Sequence, residues 1–306
     1  MSDVTAPTYK AGKTSVPAQN SEVSTQSRGA AMQFLAGLAA EVSGGTVDLP
    51  CFPDVVIRIR KALENPRTTT EHMVTVVSTE PRLAARLLQT ANSAAFNTTG
   101  RPITELRTAI VRLGQQLVQS AAMAYAVAQM KDEQSLRSIA KPMSDLWRDS
   151  VMVACLCQVL ARRTRVNPDT AFLTGLVHGI GRLYILVRAV TQRSALGNDG
   201  AFIELVAGWH AQIGKAVLEN WAFAEELTEA IGNQMDYERR SRHEADLTDL
   251  LIVSIALADA SKSPVPRNIP MEGINAFHTL GLNEQDCADI IVHAENQVAS
   301  LQDALS

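Results

Sequence analysis

Glu80-Pro81-Arg82-Leu83-Ala84-Ala85-Arg86-Leu87-Leu88-Gln89-Thr90-Ala91-Asn92-Ser93 reads as one amphipathic helix, and the sequence on both sides repeats its grammar. Pro81 occupies a first helical position, where its missing N–H is no loss because the N-terminal donors lack helical partners anyway. Ala84, Leu87, Leu88, Ala91 and Ala95 follow at helical spacing and form an apolar stripe. Upstream, Pro53-Asp54 opens a helix with Val55, Val56, Ile59, Ala62 and Leu63 on one stripe, and Asn65-Pro66 closes it. Thr70 is placed to cap the next helix, which carries Met73, Val76 and Val77 inward. Downstream, Thr104 precedes Leu106, Ala109, Ile110 and Leu113, and Gly114 interrupts before a second stripe of Leu117, Ala121, Ala124, Tyr125 and Ala128. Strand alternation is nearly absent, so the sequence predicts an all-α fold of short helices and short turns.

The charged stretch Lys131–Arg137 and then Lys141-Pro142 mark a boundary near residue 140. The expected architecture is therefore a two-lobed helical bundle. An N-terminal lobe covers 29–140, and a second lobe with a C-terminal helical extension covers 141–306. A long helix runs through Trp147, Val151, Ala154 and Val159. Asn167-Pro168-Asp169 opens another that reaches Leu176-Val177-His178. Further helices fit His210–Trp221, Glu225–Gly232, Ala245–Ala260 and Glu284–Leu301, with loops around Gly197–Gly200 and Ser263–Pro270. Residues 1–28 are rich in Ser, Thr, Gln, Lys and Pro and nearly free of large apolar side chains, so they are expected to form a disordered tail.

Composition narrows the function class. The 306 residues carry a formal net charge of -4 and no long basic stretch. A nucleic-acid-binding surface draws its affinity from clustered phosphate contacts, so the short pairs Arg162-Arg163 and Arg239-Arg240 point instead to solvated helix faces. Cys51, Cys155, Cys157 and Cys287 show no metal-knuckle or disulfide spacing and read as small buried side chains in a reducing compartment. There is no signal-peptide pattern, and the apolar runs Val151–Leu160 and Leu250–Ala258 are too short to span a bilayer. The expectation is a soluble, cytoplasmic protein that binds neither nucleic acid nor membrane.

Several stretches resemble the HDOD (HD-related output domain) family. Leu49-Pro50-Cys51-Phe52-Pro53 is similar to its Leu-Pro-x-Leu-Pro opening. Glu80-Pro81 through Ala91-Asn92-Ser93 matches an acidic-Pro pair leading into a Leu-rich helix that ends in Asn-Ser, and Ala109-Ile110 with Leu113-Gly114 matches a third element. Read physically, Asn92 can satisfy backbone groups orphaned at a helix end, and Gly114 permits a positive φ or a close approach at a helix junction.

The second half resembles the HD phosphohydrolase core. There a His, a His-Asp pair and a later Asp gather around one or two divalent metals that generate hydroxide near neutral pH. This sequence departs from that pattern. In Leu146-Trp147-Arg148-Asp149-Ser150, Asp149 stands where the first His is expected, and in Leu176-Val177-His178-Gly179-Ile180-Gly181, Gly179 replaces the paired Asp. His210 and Asp259 match the later His and the final Asp, and Asn233-Gln234 stand where related phosphodiesterases carry a His-His pair. Asp149, His178, His210 and Asp259 are thus the candidates to converge in a vestigial pocket to which Gly179 contributes nothing. The residue-level alternatives are plainer: a buried His178 bonded to a carboxylate or carbonyl, His210 at a helix N-terminus, and Asp259 paired with a cation or with His178. His72, His243, His278 and His293 match no motif and read as surface or edge residues.

The resemblance implies a bacterial signal-transduction regulator without hydrolase activity and without a cofactor. It would bind signalling proteins supplied in trans, of sensor-kinase, receiver or diguanylate-cyclase type. Two alternatives stay open: a metal-dependent phosphohydrolase with an altered site, and a nucleotide or cyclic-dinucleotide sensor using Arg148, Arg182 and Arg188 on phosphates.

Overall fold

The computed structural model describes residues 21–44, 47, 54–65, 67–93, 96–97, 100–191, 200–221, 223–241, 244–262, 269 and 271–305. Every regular element among them is helical. The first seven are α1 (Ser21–Ser43), α2 (Asp54–Glu64), α3 (Thr70–Ser78), α4 (Pro81–Asn92), α5 (Leu106–Asp132), α6 (Ala140–Ala161) and α7 (Pro168–Val177). The rest are α8 (Ile180–Thr191), α9 (Gly200–Asn220), α10 (Glu225–Gly232), α11 (Leu247–Ser261), α12 (Asn275–Thr279) and α13 (Glu284–Leu305), and a 3-10 turn at Gln134–Ile139 joins α5 to α6. The Leu49–Pro53 motif with Cys51, and also Pro66, Ala95, His243 and most of both expected loops, lie outside the described residues.

Local chemistry accounts for the helix ends. Pro81 opens α4 as its sequence position requires, and Asn167 Oδ1 caps α7 by accepting from the amides of Asp169 (2.8 Å) and Thr170 (3.1 Å). The cap of α3 is Thr69 and not Thr70: Thr69 has extended backbone and its Oγ1 accepts from His72 N at 3.2 Å, while Thr70 is already helical. In α5, Gly114 has φ 72° and ψ 170°, so the helix breaks between its two apolar stripes at the residue that tolerates this conformation. Asp246 and Asp249 form a capping box at the start of α11. Asp249 is fully buried, and it is satisfied there by Arg239, which lies 2.5 Å away and also pairs with Asp246 at 2.7 Å.

Asn92 staples the loop after α4. Its Oδ1 accepts from Ile103 N (2.7 Å), and its Nδ2 donates to Ile103 O (2.7 Å) and to Leu88 O (2.9 Å). Asn92→Ala is expected to cost about 1–3 kcal/mol in urea unfolding, because the Ile103 backbone pair loses both partners at once. A midpoint equal to wild type would show that water replaces the amide there without loss.

Helices α1 and α13 both pack across the boundary expected at residue 140. Helix α1 packs on α9, and it begins at Ser21, so residues 21–28 are helical and the expected disorder over 1–28 does not extend to them; residues 1–20 lie outside the description. Leu35, Leu38 and Val42 are buried in this contact. Arg188 grips Glu41 (2.6 Å to each oxygen), and Asn220 Nδ2 donates to Val42 O at 3.0 Å. At the other end α13 packs on α6 and α4, burying Cys287, Ile290, Ile291 and Ala294. One stretch, Pro168–Val190, is by length and composition long and apolar enough to cross a membrane, contrary to the two shorter runs singled out from the sequence. It is two helices, α7 and α8, and 83% of its apolar 18-residue window is buried inside the protein. Core packing is sufficient reason for its apolarity.

Candidate functional site

The turn between α7 and α8 carries His178 and Gly179, and α5, α6, α9, α10 and α11 pack against these two helices. Two glycines permit the close packing. A methyl group on Gly175 would lie 2.6 Å from Ala154 Cα, so α7 meets α6 backbone to backbone. A methyl on Gly181 would fall on the His210 carbonyl oxygen and 2.7 Å from Gly214 N, so α8 meets α9 in the same way. These contacts hold His178 and His210 in one buried region.

His178 is 5% exposed and its Nδ1 lies 2.7 Å from Gly175 O. That bond places the proton on Nδ1 and leaves Nε2 an acceptor. Burial pushes its pKa down to about 4, and the Arg182 guanidinium acts in the same direction, against the Gly175 bond. His210 is fully buried in the middle of α9, not at a helix N-terminus, since the helix starts ten residues earlier at Gly200. Val206 packs on the core and carries the helix through Gly208, overriding the glycine's weak propensity. The His210 Nδ1 bonds to Ala207 O at 2.8 Å, its Nε2 is buried without a hydrogen-bond partner, and burial followed by Arg182 lowers its pKa to about 4. Gln234, also buried, donates to Ile231 O (2.9 Å) and weakly to His178 O (3.4 Å). Asn233 caps α10 and donates to Glu229 O at 2.9 Å.

The two carboxylates are occupied by a residue that no motif flagged. Lys262 Nζ lies 2.8 Å from Asp149 Oδ2 and 3.0 Å from Asp259 Oδ1. Its only signal in the sequence is the i, i+3 spacing from Asp259, which places the two on one helical face. Gly179 is closed off as well. A Cβ there would meet Leu146 Cδ1 at 2.7 Å and Ser150 Oγ at 3.3 Å, and the space beside it is a small cavity of about 30 Å³ lined chiefly by Met143, Leu146, Trp147 and Leu183.

The sequence candidates therefore fall into two groups, Asp149 with Asp259 around Lys262, and His178 with His210 in the core beside them. Among the described residues, no three His, Cys, Asp or Glu side chains gather closely enough to hold a metal ion. The donor set does not fit one, because an ammonium stands between its two carboxylates and the paired Asp is a glycine under a leucine. Arg148 pairs with Asp145 and Arg188 with Glu41, so two of the three arginines expected for phosphate binding are committed within the fold. Cys155 and Cys157 are buried, and desolvation pushes both thiols up to about 12, which removes them as nucleophiles. His72, His278 and His293 are exposed.

Comparison with known proteins bears on the fold and the family. A structure from Shewanella amazonensis SB2B, provisionally named a metal-dependent phosphohydrolase, superposes with a TM-score of 0.71 at 22% identity, over 91% of this chain and 100% of that one. Another from Marinobacter aquaeolei VT8, provisionally named a signal transduction protein, gives a TM-score of 0.58 at 21% identity, over 91% of this chain and 65% of that one. Identities this low establish the fold alone. An uncharacterized protein of Treponema pallidum (strain Nichols) is 23% identical over 248 residues, 78% of this chain, and the chain spans 46% of that relative's length. The family model of the HDOD domain matches residues 49–237, more than half of the chain. The match runs from the opening Leu49-Pro50 through the His178 turn, His210 and Gln234, and on it the protein belongs to the HDOD family.

Proposed function

We propose that this HDOD protein is a non-catalytic signalling regulator that acts by binding partner proteins, supplied in trans, on a fold inherited from metal-dependent phosphohydrolases. The observation that supports this most is the seating of Lys262 between Asp149 and Asp259. Hydrolysis of a phosphate ester in such a fold needs a metal-activated water, and metal affinity depends on ligand number, geometry and outer hydrogen bonds together. Here one ligand position is a glycine and two others hold an ammonium. The provisional name of the Marinobacter aquaeolei structure is consistent with a signalling role.

The test is hydrolysis by the purified full chain of bis(p-nitrophenyl) phosphate and of a cyclic-dinucleotide panel, with Mn2+ or Mg2+ supplied. The expected result is turnover no greater than that of buffer with metal. Turnover that Asp259→Asn abolishes would overturn the proposal in favour of an altered phosphohydrolase. Equilibrium dialysis against the same nucleotides is expected to show no retention, and micromolar retention lost in Arg182→Ala would favour a ligand sensor.

A further inference from the structure

We infer that the Lys262 ammonium is the cation of this pocket, a tethered charge that holds Asp149 and Asp259 together where a metal ion would otherwise lie and thereby keeps one out. The inference rests on the non-catalytic reading above and supplies its cause. One ammonium at 2.8 Å and 3.0 Å bridges a carboxylate of α6 and a carboxylate of α11. These are the first and last positions of the ligand set that the sequence presents. Lys262 is the residue that caps α11, in αR conformation (φ -75°, ψ -17°), and its amide bonds back to the carbonyls of Ala260 and Asp259. Its stem therefore departs from a fixed helix end and not from a wandering loop.

The exclusion is electrostatic. Two facing carboxylates repel unless a cation lies between them, and either an ammonium or a divalent ion can supply the charge. A divalent ion arriving while Lys262 is in place would meet a like charge within a few ångströms and would find the inner oxygens already bonded. The lysine is always present, being covalently attached, whereas a metal must be captured from solution. Gly179 removes the negative charge that would have shifted the balance toward a divalent ion, and Leu146 fills the place of that side chain. Lys262 is half exposed, and exposed ion pairs contribute little to stability, so its role is read in ion binding and not in melting temperature.

The experiment is titration of the metal-free full chain with Mn2+, following the free-ion signal by electron paramagnetic resonance. Mn2+ prefers oxygen ligands and completes its shell with water. Wild type and Lys262→Arg are expected to leave the ion free. Lys262→Gln is expected to bind one equivalent at least about tenfold more tightly than wild type, and Lys262→Gln/Asp149→Asn is expected to lose that gain. Lys262→Ala serves in its place if the Gln variant lacks the wild-type circular dichroism spectrum. Folded variants that leave Mn2+ free overturn the inference while the non-catalytic reading stands. Binding that survives Asp149→Asn places the ion elsewhere and also overturns it. Stoichiometric binding by wild type overturns the non-catalytic reading and this inference with it.

Discussion

Gly181→Ala is expected to destabilise the protein by about 3 kcal/mol or more, at the upper end of what overpacking does to a folded core. The added methyl would lie on the carbonyl oxygen of His210 and 2.7 Å from the amide nitrogen of Gly214. Both atoms are backbone, so no side-chain rotation relieves the clash, and α8 must move away from α9. That movement also separates His178 from His210. A matched control sits on α9 itself. A methyl on Gly208 meets nothing within 4 Å, so Gly208→Ala is expected to be neutral or to gain about 0.5–1 kcal/mol from helix propensity. Urea unfolding of the two variants against wild type checks the pair. If Gly181→Ala unfolds at the wild-type midpoint, α8 and α9 are not as close as described and the site's geometry is wrong.

What the sequence could convey follows from how far each signal reaches. Helix starts were legible where a proline or an Asx residue acts on its own neighbours, as at Pro81 and Asn167, and the Gly114 break was legible because only its backbone conformation is at stake. Asn92 was legible as a residue that serves orphaned backbone groups, but not as the partner of Ile103, which lies eleven residues away. Helix α1 was missed because its partner, α9, is more than 150 residues distant, and no local pattern reports that Leu35 and Leu38 have a surface to cover. The pocket divides in the same way. Motif positions located His178, Gly179, His210, Asp149 and Asp259, yet which of them meet depends on tertiary packing. Lys262 belongs to no motif, since an ammonium that replaces a metal leaves no inherited pattern. The ion cluster that Arg239 forms with Asp246 and the buried Asp249 escaped for a related reason: read singly, each of its charges looks like a solvated surface residue.

The second large effect is acid lability, expected between pH 6.5 and pH 4 and centred on the two buried imidazoles. His178 and His210 have folded pKa values near 4, lowered from 6.5 chiefly by burial. Above pH 6.5 both folded and unfolded chains hold these rings neutral, and stability is indifferent to their titration. As pH falls below 6.5 the unfolded chain takes up protons that the folded chain refuses, so unfolding becomes easier by about 1.4 kcal/mol per pH unit for each ring. The loss levels off below pH 4, where the folded state protonates too. A shift of this size corresponds to about 3 kcal/mol for one ring, and to about 6 kcal/mol as an upper figure for both, a large part of a typical folding free energy. Carboxylates lowered by ion pairing, such as Asp246, beside Arg239, and Glu229, beside Lys215, lose their contribution at lower pH, and Asp169, raised by burial, gains stability as the pH falls, so a loss between 6.5 and 4.5 belongs to the histidines. Urea midpoints at pH 7.5, 6.5, 5.5 and 4.5 measure the slope. His178→Asn is expected to start less stable, because it loses the bond to Gly175, but to fall less steeply by about one proton's worth. A His178→Asn slope equal to that of wild type would mean that the ring is protonated in the native state. It would then have to be exposed to water or paired with Asp259, and the buried, neutral imidazole described above would not exist.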